Sequence, residues 1–94
     1  MQIQHEDNGK KGRFFVNENG KDLAEIVYAW STPTIIVIHH TEVDPQLKGQ
    51  RVGNKLVDEI VAWARKNNLK INPLCPFANA VLHKNNEYHD VLFN

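Results

Sequence analysis

The sequence is poor in cysteine: Cys75 is the only one among 94 residues. A single cysteine cannot form a disulfide within the chain, and it excludes a structural zinc site built mainly from thiolates. The chain also lacks an apolar run near the roughly 20 residues of a membrane-spanning helix, and Met1 is not followed by a basic and then apolar leader. We therefore expect a protein of the reducing cytoplasm with no membrane partner.

Neither sign of charge is in excess, because eleven basic residues balance eleven acidic ones. Binding to a phosphate backbone needs a basic surplus or a basic stripe, so nucleic acid is not an expected partner. A chain of 94 residues with no repeat, linker or low-complexity segment is expected to form a single domain over residues 1–94. At this size a little over half of the surface of the unfolded chain becomes buried.

The first half of the sequence predicts short antiparallel strands. Aromatic, β-branched or alternating residues mark the segments Ile3–His5, Arg13–Val16, Ala24–Trp30 and Thr34–Thr41. Asn19-Gly20 is a hairpin signal between the second and third segments. Because short turns connect these segments, we expect an antiparallel meander of about four strands.

The second half of the sequence predicts a helix, a strand and a second helix. Apolar residues recur at helical spacing from Val52 to Asn67, and Leu69–Leu74 has the composition of a strand. Pro76 suits the first turn of a helix, which we place at Phe77–Lys84. A helix between two strands predicts a right-handed crossover, so Leu69–Leu74 should run parallel to Thr34–Thr41. The expected fold class is α+β.

The loop Lys48–Leu56, between the fourth strand and the first helix, is the most informative segment. A glycine-containing loop that enters a helix can bind an anion, because the first N–H groups of the helix are unpaired and its end is partially positive. Gly49 and Gly53 would let the backbone approach a phosphate closely. Spacing alone leaves two interpretations open, a phosphate site or a loop that only turns the chain.

The order of these elements, together with three segments, resembles the GNAT acetyltransferases. The segments are His40-Thr41-Glu42-Val43, the Lys48–Leu56 loop and Leu74-Cys75-Pro76-Phe77. More narrowly, the chain resembles the small GNAT-like proteins that consist of little more than the acetyl-coenzyme A binding core. The resemblance runs from the Phe14-Phe15 strand to Tyr88, and it implies an N-acetyltransferase that uses acetyl-coenzyme A (acetyl-CoA).

In that family the loop cradles the pyrophosphate of coenzyme A with a pattern of Gln or Arg, two residues, Gly, one residue, and Gly or Ala. Lys48 and Gly53 occupy the first and last positions, whereas Arg51 stands where the first glycine is usual. Arg51 would either stiffen the turn or add a phosphate contact. The resemblance also implies that backbone groups at the strand end hold the pantetheine arm. The implied cofactor-binding residues are Thr41, Val43, Lys48, Gly49, Gln50, Arg51, Val52, Gly53, Asn54 and Lys55.

Cys75 is the candidate for a reactive side chain. It follows the last strand and precedes the helix at Pro76, at the sheet edge where ligands tend to bind. A helix N-terminus favours the thiolate, which is the nucleophilic form. The alternative is an inert buried cysteine. The small GNAT-like proteins carry a cysteine at this place, so the resemblance favours a reactive Cys75. Two routes then fit the residues. In direct transfer a base such as His40 deprotonates the amine, whereas in the covalent route Cys75 takes the acetyl group first, with a nearby His40 able to lower the pKa of the thiol.

The five histidines are too scattered in sequence to predict a metal site. His39 and His40 are adjacent on a strand and should point to opposite faces. Strict alternation places His40 on the face of Ile36, Ile38 and Glu42.

The resemblance gives possible roles to two histidines. His40 is favoured as a general base for the acceptor amine, with a hydrogen-bonded strand-end histidine as the alternative. His83 stands near the place where typical relatives carry a tyrosine that acts as general acid. His5 is expected on the surface. The aromatic residues are expected in the core, where a small domain needs their area: Phe14, Phe15, Tyr28, Trp30, Trp63 and Phe77.

Three functions remain open at this stage. The first is acetyl transfer from acetyl-CoA to an amine, the second is non-catalytic binding of coenzyme A, and the third is a small interaction domain without a cofactor. The loop and Cys75 favour the first two. The acceptor, whether a small molecule or a protein, cannot be read from the residues, and we expect a monomer or a weak dimer.

Overall fold

The sheet is a meander of four antiparallel strands to which a fifth strand is added in parallel. The computed structural model describes residues 1–93, and its sheet order is β1-β2-β3-β4-β5. The strands are β1 (Gln4–Asp7), β2 (Lys11–Glu18), β3 (Lys21–Thr32), β4 (Ile35–Val43) and β5 (Lys70–Pro73). The helices are α1 (Val52–Lys66) between β4 and β5, and α2 (Pro76–Lys84) after β5. The predicted fold class and the parallel crossover are confirmed.

Element boundaries differ from the predicted ones by a few residues. The first strand begins at Gln4 and continues to Asp7, because it pairs with β2 as far as Gly12. The third strand extends to Thr32, beyond the predicted end at Trp30. After α2 the chain returns to the outer edge of β5, where the amide of Phe93 donates to the carbonyl of Ile71 over 2.8 Å.

Both helices pack against the same face of the sheet. One buried apolar cluster contains residues of the sheet and of both helices. Alternation along β3 places Ala24, Ile26 and Tyr28 on this face, and Ile26 and Tyr28 are fully buried. From α1, Leu56 and Ile60 are fully buried against them. Within the described range, no helix is both long and apolar enough to cross a membrane.

A β-bulge at His39 changes which residues of β4 face the helices. Ile38 is paired with Tyr28 and His40 with Val27, so His39 is an extra residue without a partner on β3. Cross-strand partners share a face of the sheet. Thr41, which pairs with Ile26, therefore lies on the helix side, and His40 lies on the opposite side. The prediction that His40 shares the face of Ile36 and Ile38 is wrong, because a bulge reverses the alternation.

The edge strand β1 is held by a polar and aromatic cluster. The hydroxyl of Tyr28 donates to Asp7 Oδ2 over 2.5 Å, and His5 Nε2 lies 2.7 Å from the same hydroxyl. The His5 ring stacks on Phe14 with 3.9 Å between ring centroids. His5 is exposed, as predicted, but its ring also packs against the protein. Gly12 makes room for the cluster, since a Cβ there would lie 2.5 Å from the Tyr28 hydroxyl oxygen.

The sheet face opposite the helices is covered by side chains of its own. The Arg13 guanidinium lies 3.9 Å from the centroid of the Phe15 ring and shields it from water. Phe15 is buried although it points away from the main cluster. Ion pairs fix the arginine in this position, with Glu6, Asp22 and Glu25 as partners.

Candidate active site

A gap opens between β4 and β5 immediately after their last paired residues. β5 pairs with β4 only over Ile35–Ile38. The carbonyl of Ile38 accepts from the amides of both Leu74 and Cys75, at 3.0 Å each, and closes the inner end of the gap. Beyond it, His40–Val43 is paired with β3 alone among the described strands. A parallel pair that separates in this way leaves the β5-facing edge of β4 open to a ligand.

The loop after β4 has positive φ angles at two places. A short 3-10 turn at Pro45–Leu47 follows β4, with Asp44 as its side-chain cap. Gly49 has φ +88° and Arg51 has φ +56°, both in the left-handed region that favours glycine. This conformation gives a physical reason for the glycine that the resemblance implies at position 51. Arg51 is the residue that immediately precedes α1.

The N-terminus of α1 is not capped by Arg51, which makes no side-chain bond to the first turn. An α-helix begins with N–H groups that have no partner within the helix. Three exposed basic residues lie beside those groups in sequence: Lys48 and Arg51 precede the helix, and Lys55 belongs to its first turn. The backbone dipoles and the side-chain charges therefore have the same sign, as an anion site requires.

A cavity of about 320 Å³ connects this loop with the end of β4. Eight of the ten predicted cofactor-binding residues line it: Thr41, Val43, Lys48, Gly49, Arg51, Val52, Gly53 and Asn54. The remaining two, Gln50 and Lys55, line a second cavity of about 570 Å³ on the other side of the loop. This second cavity also contains Tyr88, whose pKa is raised to about 12 by its hydrogen bond to Asp58. The structure thus brings the predicted set together around a single loop.

Phe77 lines the first cavity, although the sequence placed it in the core. Phe77 is 39% exposed, and its ring packs over Gly53 in the first turn of α1. A Cβ at position 53 would lie 2.8 Å from the ring, so the glycine accommodates the aromatic side chain. The prediction for Phe77 was wrong because the first turn of α2 points toward α1 across the gap. The only sequence signal for an exposed Phe77 was its position directly after Pro76, in the first turn of a helix.

Cys75 lies at the inner end of the gap and is 6% exposed. It directly precedes α2, and its Sγ is 3.4 Å from Thr41 Oγ1. Burial acts to raise the pKa of the thiol, but the backbone N–H of Ala78, the Thr41 hydroxyl and the N–H of Phe77 favour the thiolate more strongly. The net result is a lowered pKa for Cys75.

The groups that lower this pKa do not include His40, so the predicted influence of His40 on the thiol is wrong. The bulge turns the imidazole to the open side of the sheet, where Nε2 lies 3.1 Å from Glu42 Oε2. Both side chains are exposed. The His40–Glu42 pair is therefore exposed to solvent. Thr41 occupies the place beside Cys75 where the sequence analysis predicted His40.

His83 lies at the far end of α2 from Cys75. His83 is eight positions after Cys75 in the chain, which corresponds to about 12 Å of axial rise along a helix. Its Nδ1–H donates to the carbonyl of Asn79 over 2.9 Å, and the side chain is exposed. This geometry therefore does not place His83 in contact with a thiolate that departs near Cys75. Among the described residues, no cluster of three or more His, Cys, Asp or Glu side chains is arranged to hold a metal ion.

Comparison with known proteins gives a consistent result. Residues 13–91 match the sequence profile of the GCN5-related N-acetyl-transferase family. The chain is similar to a GCN5-like protein from Staphylococcus aureus, with 40% identity, 99% of this chain and 88% of that chain covered, and a TM-score of 0.74. A search of curated protein sequences gave no match.

More distant solved structures share the fold. The ribosomal-protein-S18-alanine N-acetyltransferase from Escherichia coli is 17% identical over 83% of this chain and 53% of its own, with a TM-score of 0.66. An IAA acetyltransferase from Bacillus cereus is 18% identical over 80% of this chain and 53% of its own, with a TM-score of 0.60. At these identities the likeness concerns the fold alone, and the chain spans about half the length of each.

Proposed function

Because the chain belongs to the GCN5-related N-acetyl-transferase family, we propose that it transfers an acetyl group from acetyl-CoA to an amine by way of Cys75. The observation that carries this proposal is the position of Cys75 at the point where β4 and β5 separate. Its partner Thr41 lines the same cavity as the basic loop. A cofactor anchored at the loop would then have its thioester end directed toward the thiol.

The loop Lys48–Lys55 is the proposed site of the cofactor pyrophosphate. The N-terminus of α1 supplies N–H donors, and Lys48 and Arg51 supply charge. The guanidinium of Arg51 can bind two phosphate oxygens at once. The pantetheine arm would extend along the unpaired edge of β4 from Val43 to Thr41, forming main-chain hydrogen bonds as an added strand does.

Two chemical steps complete the proposed reaction. The Cys75 thiolate attacks the carbonyl carbon of the thioester, and the bond from that carbon to the sulfur of coenzyme A breaks, so that coenzyme A leaves as a thiolate and takes a proton from water. A neutral amine then attacks acetyl-Cys75, the new amide forms, and the Cys75 thiolate is released. The attacking nitrogen loses a proton, for which His40 is the proposed base.

The position of His40 supports a base role at the open face of the sheet. Glu42 holds its imidazole through a hydrogen bond, and both side chains are exposed to an incoming amine. In a direct transfer without acetyl-Cys75, the same histidine would deprotonate the amine before it attacks the thioester. The two routes share the cofactor site and His40, and they differ in the role of Cys75.

The test is to titrate the protein with coenzyme A and acetyl-CoA by calorimetry, and then to incubate it with acetyl-CoA without an acceptor. We expect binding, and a mass increase of one acetyl group that maps to Cys75. Cys75→Ala should bind coenzyme A but lack the adduct, and its transfer rate to a panel of amines should fall by roughly a hundredfold or more.

Each alternative has its own result in this experiment. Full transfer by Cys75→Ala without any adduct on the wild type would support direct transfer, and His40→Ala should then lower the rate. Binding of coenzyme A with no adduct and no transfer would instead indicate a non-catalytic binding module. Absence of binding would contradict the cofactor proposal itself.

A further inference from the structure

We infer that Thr41 is a positioning residue for Cys75, whose hydroxyl holds the sulfur in the gap and donates a hydrogen bond to the thiolate. This inference rests on the proposed function to the extent that it treats Cys75 as the nucleophile. It assigns to the side chain of Thr41 a role separate from the main-chain contact proposed for the cofactor.

The contact joins the two arms of the gap. Thr41 Oγ1 and Cys75 Sγ are 3.4 Å apart, a hydrogen-bond distance for sulfur, and the two residues are separated by 34 positions in sequence. The thiol of Cys75 donates to the oxygen when it carries its proton. When the thiol ionises, the hydroxyl can rotate and donate to the sulfur, so that one pair of atoms serves both states.

Thr41 is in this position because of the bulge at His39. Its strand partner is Ile26, a fully buried residue of the helix-side face. Without the extra residue, alternation would turn His40 to this face and Thr41 away from it. The fold thus gives the thiol a neutral hydroxyl partner, and the ionisation of Cys75 does not depend on the protonation state of an imidazole.

The remaining groups that favour the thiolate belong to the main chain. The N–H groups of Ala78 and Phe77 in the first turn of α2, and the N–H of Thr41 itself, act in the same direction as the hydroxyl. Main-chain groups cannot be removed by substitution of side chains. The hydroxyl of Thr41 is therefore the part of this environment that mutation can test.

The experiment measures the rate of alkylation of the folded protein by iodoacetamide as a function of pH. The midpoint of the profile reports ionisation of Cys75, and the plateau at high pH reports access of the reagent to the sulfur. Thr41→Val keeps the shape of the side chain and removes the hydroxyl. We expect its midpoint to move to higher pH and its rate at pH 7 to fall roughly tenfold, which corresponds to one hydrogen bond to a charged group.

Two further variants separate this effect from general disturbance. Thr41→Ser restores a hydroxyl and should return the midpoint to that of the wild type. His40→Ala, one residue away on the opposite face, should leave the midpoint unchanged. If Thr41→Val does not fold, as judged by its tryptophan fluorescence, Thr41→Ala provides the same loss of the hydroxyl in a smaller side chain.

The inference is overturned if the variants without a hydroxyl keep the wild-type midpoint, or if only their plateau changes. It is also overturned if His40→Ala moves the midpoint as far as Thr41→Val does. Because alkylation uses no acetyl-CoA, this result is independent of the proposed function. A wild type that forms no acetyl adduct but shows the expected midpoints would contradict covalent transfer and support the role of Thr41.

Discussion

Arg51 shows how a single residue can be placed against its conformational preference. A residue with a Cβ in the left-handed region costs about 1 kcal/mol relative to its ordinary conformation, and Arg51 has φ +56°. Its neighbour Lys48 has φ −58° and carries no such strain. The two residues have the same charge and lie on the same loop, so they form a matched pair for substitution by glycine.

We predict that Arg51→Gly leaves the free energy of unfolding unchanged or raises it by up to about 1 kcal/mol, because relief of strain offsets the added freedom of the unfolded chain. Lys48→Gly should lower it by about 0.5–1 kcal/mol, since nothing is relieved there. Urea titrations of the two variants give the comparison. Equal losses in both would show that Arg51 is not strained in solution.

Arg51→Glu, measured by calorimetry, should bind coenzyme A more weakly than Arg51→Gly does.

At the scale of elements, the attachment of β1 depends on two titratable groups. Burial acts to raise the pKa of Asp7. Hydrogen bonds from Tyr28, the amide of Gly9 and Trp30 have the opposite and larger combined effect, so the pKa of Asp7 is lowered. Burial also lowers the pKa of His5, against the opposing charge of Asp7. In both cases the unfolded chain takes up a proton at a higher pH than the folded protein does.

We predict that the free energy of unfolding falls in two windows as the pH is lowered. The first begins near pH 6.5, where His5 of the unfolded chain becomes protonated, and the second near pH 4, where Asp7 does. Asp7→Asn should make the fall in the lower window smaller but not abolish it, because hydrogen bonds also lower the pKa values of Asp22, Asp44 and Asp90. The same variant should steepen the upper window, because His5 loses the charge that raises its pKa. His5→Gln should remove the upper window. Urea titrations at a series of pH values measure both. Identical pH profiles for the wild type and Asp7→Asn would contradict the prediction.

The order and direction of the elements could be predicted because each depends on local signals. Asn19-Gly20 marks a hairpin, Pro76 begins a helix, and the spacing from Val52 to Ala64 draws one buried helical face. The bulge at His39 could not be predicted, because it is defined by pairing with β3 and changes no residue type. Its effect on the site was large, since it exchanged His40 for Thr41 beside the thiol.

Most residues that line the cavity at the loop could be named together for a similar reason, since Lys48–Asn54 are consecutive in sequence. The contacts that cross the gap could not be predicted. Phe77 meets Gly53, and Thr41 meets Cys75, only after α1 and β5 have closed the crossover. Such pairs depend on the rotation of a helix about its axis, which periodicity gives only to within a residue or two.

For the molecule as a whole, the single-domain prediction can be tested through its two tryptophans. Trp63 of α1 and Trp30 of β3 lie 5.8 Å apart between ring centroids, so their fluorescence reports the contact of helix and sheet. The radius of gyration of 12.6 Å is near the value of about 12 Å for a compact chain of this length. One buried cluster contains residues from β2, β3, β4, β5 and both helices.

We predict that urea unfolding followed by tryptophan fluorescence and by far-ultraviolet circular dichroism gives coincident curves, as a cooperative unit requires. The slope of the free energy against urea should be about 1 kcal/mol/M, which is typical of a small domain. Separate transitions would show that the sheet and the helices unfold independently. A single transition whose midpoint depends on protein concentration would indicate that unfolding is coupled to dimer dissociation.

The extra residue in β4 also has a consequence for the evolution of related sequences. The rule that maps odd and even positions onto the two faces of the strand reverses at residue 39. Substitutions accepted together in the course of divergence should therefore link position 41 with position 75, since these side chains touch, whereas position 40 should vary with position 42. A lineage that lost the bulge would present a different side chain to the sulfur without a single amino-acid replacement at the site.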